Sequence, residues 1–427
     1  MKKVISLFLC AILLLSFAAI GQAESAQYAV TEPITIEFWD SYGEPEKSAW
    51  MQAAVKAFNE SQALVTVEYR NIAGYGAMDE QLAGAQAAQK GLPGIAFINF
   101  PRVQTYAASG MVEPLNEYVK ATGFDIEDIN AGMLDALTAN ADGLLYGMPL
   151  GVSSACVFWN MDLLKQIGVD KLPDTWDELV ALAPVIQEKT GKTAFGIMSE
   201  LNYMDSLIRN TGADVLGDGT YCNLMDENIV SLLKAFKGMI DANQARLYTG
   251  TTYTADIMTD FTSGNLVCMC NTIAVTNNVA ANSNFEVVTS FMLKNKVEPA
   301  ISTAAGAAII IPALNDQAVK NAAWQFASFL LSKDNVKDWS FVSSTYPVRV
   351  SIYSDASAMA ALYATQPLYE NIYAGLDGVV SKNKTPLQTS SYKILLAAIG
   401  KYFYDNADFD TEMKNAVEEV NYLLSDN

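Results

Sequence analysis

The stretch ITIEFWDSYGEPEKSAWMQAAVKAFNESQALVTVEYR, residues 34–70, decides the fold class. Its first positions alternate apolar and polar side chains, which is the period of a β-strand. Residues 45–59 then place Trp50 and Phe58 on one face of a helix, and the alternation returns at Val65. A strand, a helix and a second strand in this order predict a βαβ unit, which builds a parallel sheet.

The same alternation of helix and strand continues beyond this unit. A helix is expected over about 79–90, with Gly91 as its stop signal, and residues 95–98 form a short apolar strand. In parallel sheets, ligands bind at the carboxyl ends of the strands. That rule selects four candidate ligand-binding residues, which follow or end the first and third strands: Trp39, Asp40, Asn99 and Phe100.

A second α/β half follows the first. Residues 155–159 and 266–270 have the pattern of apolar strands, and Thr175 and Glu178 have the spacing of a helix capping box. Further elements are expected as strands after residue 285 and at 307–311, and as helices at 229–240, at 324–330 and from about residue 387. No flexible linker separates the halves, so the chain is expected to cross between them more than once.

Composition and charge narrow the classes of function. The chain has 427 residues, of which 51% are hydrophobic, so it can bury a sizeable core. Its 27 basic and 47 acidic residues give a formal net charge of −20, which argues against nucleic acid or an anionic membrane surface as main partner. Histidine is absent, which excludes His-based triads and His zinc sites. A carboxylate pair such as Asp40 with Glu44 or Glu46 leaves a glycosidase as an open alternative.

The N-terminus has the pattern of a secretory signal peptide, residues 1–23. Lys2 and Lys3 precede a nearly unbroken apolar run, and small residues precede a cleavage point after Ala23. The alternative is an uncleaved membrane anchor. Cys10 lies inside the apolar run without a lipobox, so no lipid is expected. The prediction is an exported protein, located in the periplasm or outside the cell.

The remaining cysteines are Cys156, Cys222, Cys268 and Cys270. An exported protein can form disulfides, and four is an even number. However, Cys268 and Cys270 alternate within a predicted strand, so they share one of its faces. We expect buried thiols, and a disulfide among the four stays open as an alternative.

Aromatic residues occur at several predicted strand ends and loops. They are Trp39, Tyr42, Tyr75, Phe100, Tyr203 and Tyr346. Aromatic faces stack on the C–H faces of sugar rings, and neighbouring polar side chains satisfy hydroxyl groups, so these positions are typical of a carbohydrate or polyol site. For each aromatic taken alone, packing in the core is the competing interpretation.

Several longer motifs carry a family resemblance. The segment FWNMDLL at 158–164, followed by LPDTWDEL at 172–179, is the most specific, and ASGMVEPL at 108–115 and GLLYGMP at 143–149 accompany it. These segments resemble the extracellular solute-binding proteins of family 1, the substrate receptors of carbohydrate ABC importers, which include maltose-binding proteins. The resemblance implies a periplasmic-binding-protein-like α/β fold, in which two α/β lobes flank a ligand cleft and three crossover segments join them.

The resemblance also implies where the lobes divide. The N-terminal lobe is expected to comprise residues 24–150 and 287–330. The C-terminal lobe is expected to comprise residues 151–286 and 331–427.

Within the family, the chain resembles the branch that includes glycerol-3-phosphate receptors. The binding positions of that branch fall on five residues of this sequence: Tyr75, Phe100, Ser153, Thr272 and Gly306. The central aromatic of the family falls near Tyr203, and Ser154, Tyr346 and Arg349 are further candidates, the last two in a "Tyr-Pro-Val-Arg" element.

Two departures from that branch bear on the ligand. Phe100 stands where the branch has a glutamate, and Leu395 stands near the position of its phosphate-binding arginine. A neutral sugar or oligosaccharide is therefore the preferred ligand. A receptor for glycerol 3-phosphate or a glycerophosphodiester is the alternative.

The leading hypothesis is a binding protein, and not an enzyme. It would bind a carbohydrate or polyol and deliver it to the transmembrane permease subunits of an ABC importer, as a monomer, with no cofactor, no metal and no nucleic-acid partner. The competing hypotheses are a secreted carboxylate-based glycosidase or lyase and an adhesive or structural surface protein.

Overall fold

The computed structural model describes residues 26–425 except 73 and 140. The predicted signal peptide at 1–23 lies outside the described residues. Within the described part of the chain, no helix has both the length and the apolar character needed to cross a membrane.

The described elements alternate between strands and helices through most of the chain. The strands are β1 Ile34–Asp40, β2 Val65–Asn71, β3 Ile95–Asn99, β4 Met148–Ser153, β5 Ala155–Asn160, β6 Thr193–Met198, β7 Ala245–Tyr248, β8 Leu266–Thr272, β9 Val287–Ser290, β10 Ser302–Thr303, β11 Ala305–Ile310 and β12 Val379–Val380. The α-helices are α1 Pro45–Ser61, α2 Tyr75–Ala88, α3 Arg102–Ala108, α4 Asn116–Thr122, α5 Ala131–Asp135, α6 Met161–Gln166, α7 Trp176–Thr190, α8 Leu201–Arg209, α9 Glu227–Asp241, α10 Tyr253–Thr262, α11 Thr276–Asn282, α12 Gln317–Leu330, α13 Lys333–Ser343, α14 Val350–Tyr353, α15 Ala356–Thr365, α16 Leu368–Tyr373, α17 Gln388–Tyr404 and α18 Phe409–Ser425.

The first lobe is built on a five-stranded sheet in the order β2-β1-β3-β11-β4. Strand β1 runs parallel to β2 and β3, as the βαβ pattern of residues 34–98 predicts. The core beside it is aromatic: Phe38 lies 5.1 Å from Phe97 and 5.4 Å from Phe326, measured between ring centroids. Strand β11 joins this sheet from far along the chain and runs antiparallel to both β3 and β4.

The second lobe is built on another five-stranded sheet, in the order β7-β6-β8-β5-β9. The predicted capping box begins helix α7: Thr175 Oγ1 accepts a hydrogen bond from the backbone amide of Glu178 at 3.2 Å, and the Glu178 carboxylate accepts from the Thr175 amide at 3.3 Å. The cap brings Trp176 into the core, 5.4 Å from Phe195. The prediction of two α/β lobes is confirmed.

The crossovers lie later in the chain than expected. Strand β4 remains in the first sheet to Ser153 and β5 begins at Ala155, so the first crossing is at Ser154. Strand β9, at 287–290, pairs with β5 in the second sheet, which corrects the boundary expected at 287. Its pairing partner decides its lobe, and its sequence alone does not contain that information.

The third crossing is also displaced. Helix α13 packs on α1 and β4 of the first lobe, because Trp339 inserts between Tyr42 and Trp50, with ring centroids 5.2 and 5.1 Å away. Further on, Arg349 pairs with Asp128 of the same lobe. The first lobe therefore continues past 330, and the chain returns to the second lobe between α14 and α16, which packs on β9.

The four described cysteines are buried and carry free thiols, as the strand pattern predicts. Cys268 and Cys270 lie on one face of β8, where Cys268 Sγ donates to the carbonyl oxygen of Ala194 at 3.1 Å. Burial raises the pKa of the Cys268 thiol, so it stays protonated. These cysteines serve as small apolar side chains.

Gly306 is required by the pairing of β11 with β4. Its φ angle is +111°, a conformation that L side chains rarely adopt, and a Cβ atom there would collide with the carbonyl oxygen of Gly151. We expect Gly306→Ala to lower the free energy of unfolding by roughly 1–3 kcal/mol. Gly84 lies in exposed helix α2 with open space around it, so Gly84→Ala is the matched control and should raise stability by roughly 0.5–1 kcal/mol.

Urea unfolding followed by circular dichroism measures both variants. Equal stabilities for Gly306→Ala and the wild-type protein would show that the strand pairing tolerates a side chain at this position.

Candidate functional site

A cavity of about 650 Å³ lies between the two lobes. The first lobe lines it with loops after β1 and β2, the end of β3 and the paired strands β4 and β11. The second lobe lines it with the segments that follow β6, β7 and β8. The residues with polar or aromatic side chains at its surface are Ser41, Tyr42, Glu44, Lys47, Tyr75, Asn99, Ser153, Ser154, Glu200, Asn202, Tyr203, Tyr253, Thr254, Thr272 and Thr345.

Seven of the twelve predicted site residues line this cavity. They come from both lobes and from the first crossover: Tyr75, Asn99, Ser153, Ser154, Tyr203, Thr272 and Gly306. The rule that ligands bind at the carboxyl ends of strands explains Asn99, which ends β3. The structure thus brings together residues that are up to 231 positions apart in sequence, from 75 to 306.

Trp39 does not line the cavity, which corrects its prediction as a stacking residue. Its side chain is 3% exposed, its Nε1 donates to Glu37 at 2.7 Å, and the Arg70 guanidinium lies 4.9 Å from its ring centroid. The reason is the alternation of side chains along a strand, which puts residues 37 and 39 on the same face of β1. On that face the Trp39 indole lies between the charged groups of Glu37 and Arg70.

Asp40 supports the site from behind. It is completely buried, and its carboxylate accepts hydrogen bonds from the Tyr42 amide at 3.0 Å and from the Tyr69 hydroxyl at 2.7 Å. Burial raises the pKa of Asp40. Asp40 therefore shapes the loop that carries Tyr42 and, contrary to its prediction as a ligand-binding residue, does not itself line the cavity.

Phe100 is displaced in the same way. Its side chain is buried and lines a smaller pocket together with Ala304, Lys382 and Gln388, and it is not among the residues that line the main cavity. Its backbone amide donates to the carbonyl oxygen of Gly306 at 3.0 Å, which continues the pairing of β3 with β11. The expected ligand contact of Phe100 is therefore corrected to a core position.

Tyr346 and Arg349 also lie outside the cavity. The Tyr346 hydroxyl shares a hydrogen bond of 3.0 Å with the Ser154 hydroxyl, and its ring is fully buried at the crossover. Arg349 pairs with Asp128 at 2.8 Å and donates to the Leu331 carbonyl oxygen at 2.6 Å. Tyr346 supports Ser154, and Arg349 fixes α14 to the first lobe, which corrects both predictions.

Tyrosines stand on both walls of the cavity. Tyr42 and Tyr75 belong to the first lobe, and Tyr203 and Tyr253 belong to the second. The Tyr203 hydroxyl donates to Asn271 Oδ1 at 3.4 Å, which orients its ring. Burial raises the pKa of Tyr203 well above its usual value, so its hydroxyl is neutral at physiological pH.

Charged groups at the cavity surface are paired or shielded. Lys47 and Glu44 form an ion pair of 2.7 Å. Burial raises the pKa of Glu44, but the hydrogen bond and charge of Lys47 outweigh it and the pKa is lowered. Burial raises the pKa of Glu200, whose carboxylate accepts from Asn202 Nδ2 at 2.8 Å.

Sequence reasoning missed part of the lining. The sequence patterns indicate Tyr42 only as an aromatic near a strand end, and they do not indicate Glu200, Asn202 or Tyr253. The strand-end rule would have selected Glu200 and Asn202 if residues 193–198 had been recognised as a strand, because they follow β6 directly. Over the described parts of the chain, no cluster of three or more Asp, Glu or Cys residues could hold a metal ion.

Known proteins match this chain in sequence over part of its length. The sequence model described as "Bacterial extracellular solute-binding protein" matches residues 53–366. An arabinooligosaccharide-binding protein of Bacillus subtilis (strain 168) is 27% identical over 200 residues, which are 45% of this chain and 44% of that protein. The chain therefore matches less than half the length of this relative.

Solved structures match the fold over nearly the whole chain. The cyclic alpha-maltosyl-1,6-maltose binding protein from Arthrobacter globiformis has a TM-score of 0.80 at 21% identity, over 92% of this chain and 100% of that one. UgpB from Mycobacterium tuberculosis, in complex with glycerophosphocholine, has a TM-score of 0.80 at 20% identity, over 93% and 99%. Because the sequence model covers most of the chain, the protein belongs to the bacterial extracellular solute-binding proteins.

Proposed function

We propose that the chain is the extracytoplasmic substrate-binding component of an ABC importer, and that it binds a neutral sugar or oligosaccharide between its lobes. The observation that carries this proposal is the placement of tyrosine rings on opposite walls of one cavity, with amide and hydroxyl groups between them. Rings such as Tyr42 and Tyr203 stack on the apolar faces of sugars. Asn99, Ser153 and Asn202 can hydrogen-bond their hydroxyl groups.

The size and charge of the cavity support this ligand class. Its volume of about 650 Å³ lies within the usual range of small-molecule sites. Lys47 is the single cationic residue among its described lining residues, and Glu44 already neutralises it. A phosphate dianion would meet the carboxylates of Glu44 and Glu200 without a free cation to balance them. A neutral polyhydroxyl ligand avoids that repulsion.

Transport follows from closure of the lobes. A ligand that contacts both walls binds the closed form better than the open form, and it shifts the population toward the closed form by that difference in affinity. The transmembrane permease subunits would then recognise the closed form. The protein is proposed to be exported and monomeric, and to bind its ligand without a catalytic step.

Two observations favour alternative functions. UgpB, which has the same fold, was solved with glycerophosphocholine, which supports a glycerophosphodiester as a second ligand class. Glu44 and Glu200 have pKa values shifted in opposite directions, which a glycosidase would need for its acid and its base. Product formation from the saccharides tested below would favour the glycosidase.

A saccharide panel with stacking variants tests the main proposal. Maltose, maltotriose, arabinotriose and cellobiose are screened by thermal shift, since a ligand at one hundred times its Kd stabilises the protein by about 2.7 kcal/mol. For the saccharide that binds, calorimetry should show that Tyr75→Ala and Tyr203→Ala each weaken binding by roughly 1–3 kcal/mol.

Trp39→Ala is the matched control for the stacking variants. Because its indole is buried outside the cavity, this variant should have a lower melting temperature and an unchanged saccharide affinity. Unchanged affinity in Tyr75→Ala and Tyr203→Ala, with loss of affinity in Trp39→Ala, would reverse the assignment of the site.

Glycerol 3-phosphate tests the charge argument. The wild-type protein should bind it poorly, because its one lining cation is committed to Glu44. In Glu44→Gln the ammonium group of Lys47 is released, and a new charge-assisted hydrogen bond should improve binding of the phosphate by about 1.5–3 kcal/mol. Calorimetry with a strong affinity for glycerol 3-phosphate in the wild-type protein would contradict the choice of a neutral ligand.

A further inference from the structure

Residues 381–387, the inter-lobe segment, connect β12 to α17 and bond to both lobes. The Ser381 hydroxyl donates to Asp135 of the first lobe at 2.6 Å, and its carbonyl oxygen accepts from Arg209 of the second lobe at 2.7 Å. Further along, the Thr105 hydroxyl of the first lobe donates to the Pro386 carbonyl oxygen at 3.0 Å. A change in the angle between the lobes would therefore alter the contacts of this segment.

Lys382 points from this segment into the protein and not into solvent. The residue is 8% exposed, and its Nζ donates to Asn202 Oδ1. Among the described residues, no carboxylate forms a direct ion pair with it. Three charged groups face it: Glu200, which precedes α8, and Asp205 and Arg209 on that helix. A buried ammonium group loses hydration, so the hydrogen bond to Asn202 is its direct compensation.

Asn202 transmits this contact to the ligand cavity. Because its oxygen accepts from Lys382, its amino group must face the other way, where it donates to Glu200 Oε1 at 2.8 Å. Both Asn202 and Glu200 line the cavity. Lys382 thus determines which way the Asn202 amide is turned, and the amide in turn holds one oxygen of the Glu200 carboxylate.

We propose that Lys382 is a positioning residue of the ligand site, which orients Asn202 and Glu200 and so connects ligand binding to the inter-lobe segment. In this arrangement the second oxygen of Glu200 accepts a hydrogen bond from a sugar hydroxyl. This inference rests on the proposed function, because it assigns residues to the binding of a saccharide in the same cavity. It adds a residue that lies behind the cavity wall and touches no ligand.

The arrangement predicts a pH dependence of binding. Burial lowers the pKa of Lys382 to about 8, Glu200 and Asp205 oppose this shift, and Arg209 reinforces it. The ammonium group is present below that pH and is lost as the pH rises through it, so affinity should fall above about pH 8. The chain has no histidine that could titrate near pH 8. Burial raises the pKa values of Tyr42 and Tyr203 well above their usual value, so these two hydroxyl groups do not titrate near pH 8 either.

Calorimetry with Lys382→Met tests the proposal, with maltotriose and arabinotriose as probes. The wild-type protein should bind a probe about tenfold more weakly at about pH 9 than at about pH 6.5, because the charged donor is lost. Lys382→Met should bind weakly at both pH values and show a flat profile. Lys384 lies in the same segment and pairs with Asp135, so Lys384→Met is the matched control and should keep the wild-type profile.

A second measurement needs no ligand. The side-chain carboxyl ¹³C signal of Glu200, assigned with Glu200→Gln, reports its titration in the free protein. The positive charge of Lys382 favours the carboxylate, so Lys382→Met should raise the pH at which Glu200 titrates.

The outcomes distinguish a failure of saccharide binding from a failure of the positioning role of Lys382. If no saccharide binds the wild-type protein, the proposed function fails, and the Glu200 titration still decides whether Lys382 acts on the cavity wall. If a probe binds Lys382→Met with wild-type affinity and the wild-type pH profile, the positioning role is overturned while the proposed function stands. An unchanged Glu200 titration in Lys382→Met would overturn it as well.

Discussion

The insertion of β11 between β3 and β4 is the constraint on which the inter-lobe cavity depends. This strand arrives after the chain has visited the second lobe, and it completes the first sheet. Its pairing with β4 brings Gly306 so close to the carbonyl oxygen of Gly151 that position 306 has no room for a side chain. Tyr42 occupies the space that a side chain at 151 would need, and this places its ring at the cavity edge.

A second group of residues behind the cavity fixes the side chains that line it. Asp40 holds the loop of Tyr42, Tyr346 holds the Ser154 hydroxyl, and Lys382 holds the Asn202 amide. Each of these supporting residues is buried and each uses a polar atom to fix a neighbour. Pre-organised donors and acceptors cost less entropy when a ligand binds. Asp40, Tyr346 and Lys382 therefore carry polar groups although none of the three lines the cavity.

The sequence predicts the local elements well because their signals are local. The alternation in 34–40, the capping box at Thr175 and the apolar strand at 266–270 appear in the structure near the expected positions. The lobe boundaries depend on long-range pairing instead. Helix α13 belongs to the first lobe because Trp339 packs between two rings almost 300 residues earlier, and no local pattern records that contact.

The same distinction between local signals and long-range contacts explains which residues of the cavity the sequence predicts. Strand ends and the family resemblance predict Tyr75, Asn99 and Tyr203, which line the cavity. The strand-end rule also selects Trp39, although the strand period places Trp39 on the same face of β1 as Glu37. Lys382 could not be predicted, because its role depends on a contact with a residue 180 positions earlier.

A crystal structure of the complex with the saccharide that binds most tightly tests the central claim most directly. The account predicts sugar density between the tyrosines of the two lobes, with one ring against Tyr42 or Tyr75 and one face toward Tyr203 or Tyr253. It also predicts that the lobes lie closer together than in the free protein. Sugar density on an outer surface, with the inter-lobe cavity empty, would contradict the account.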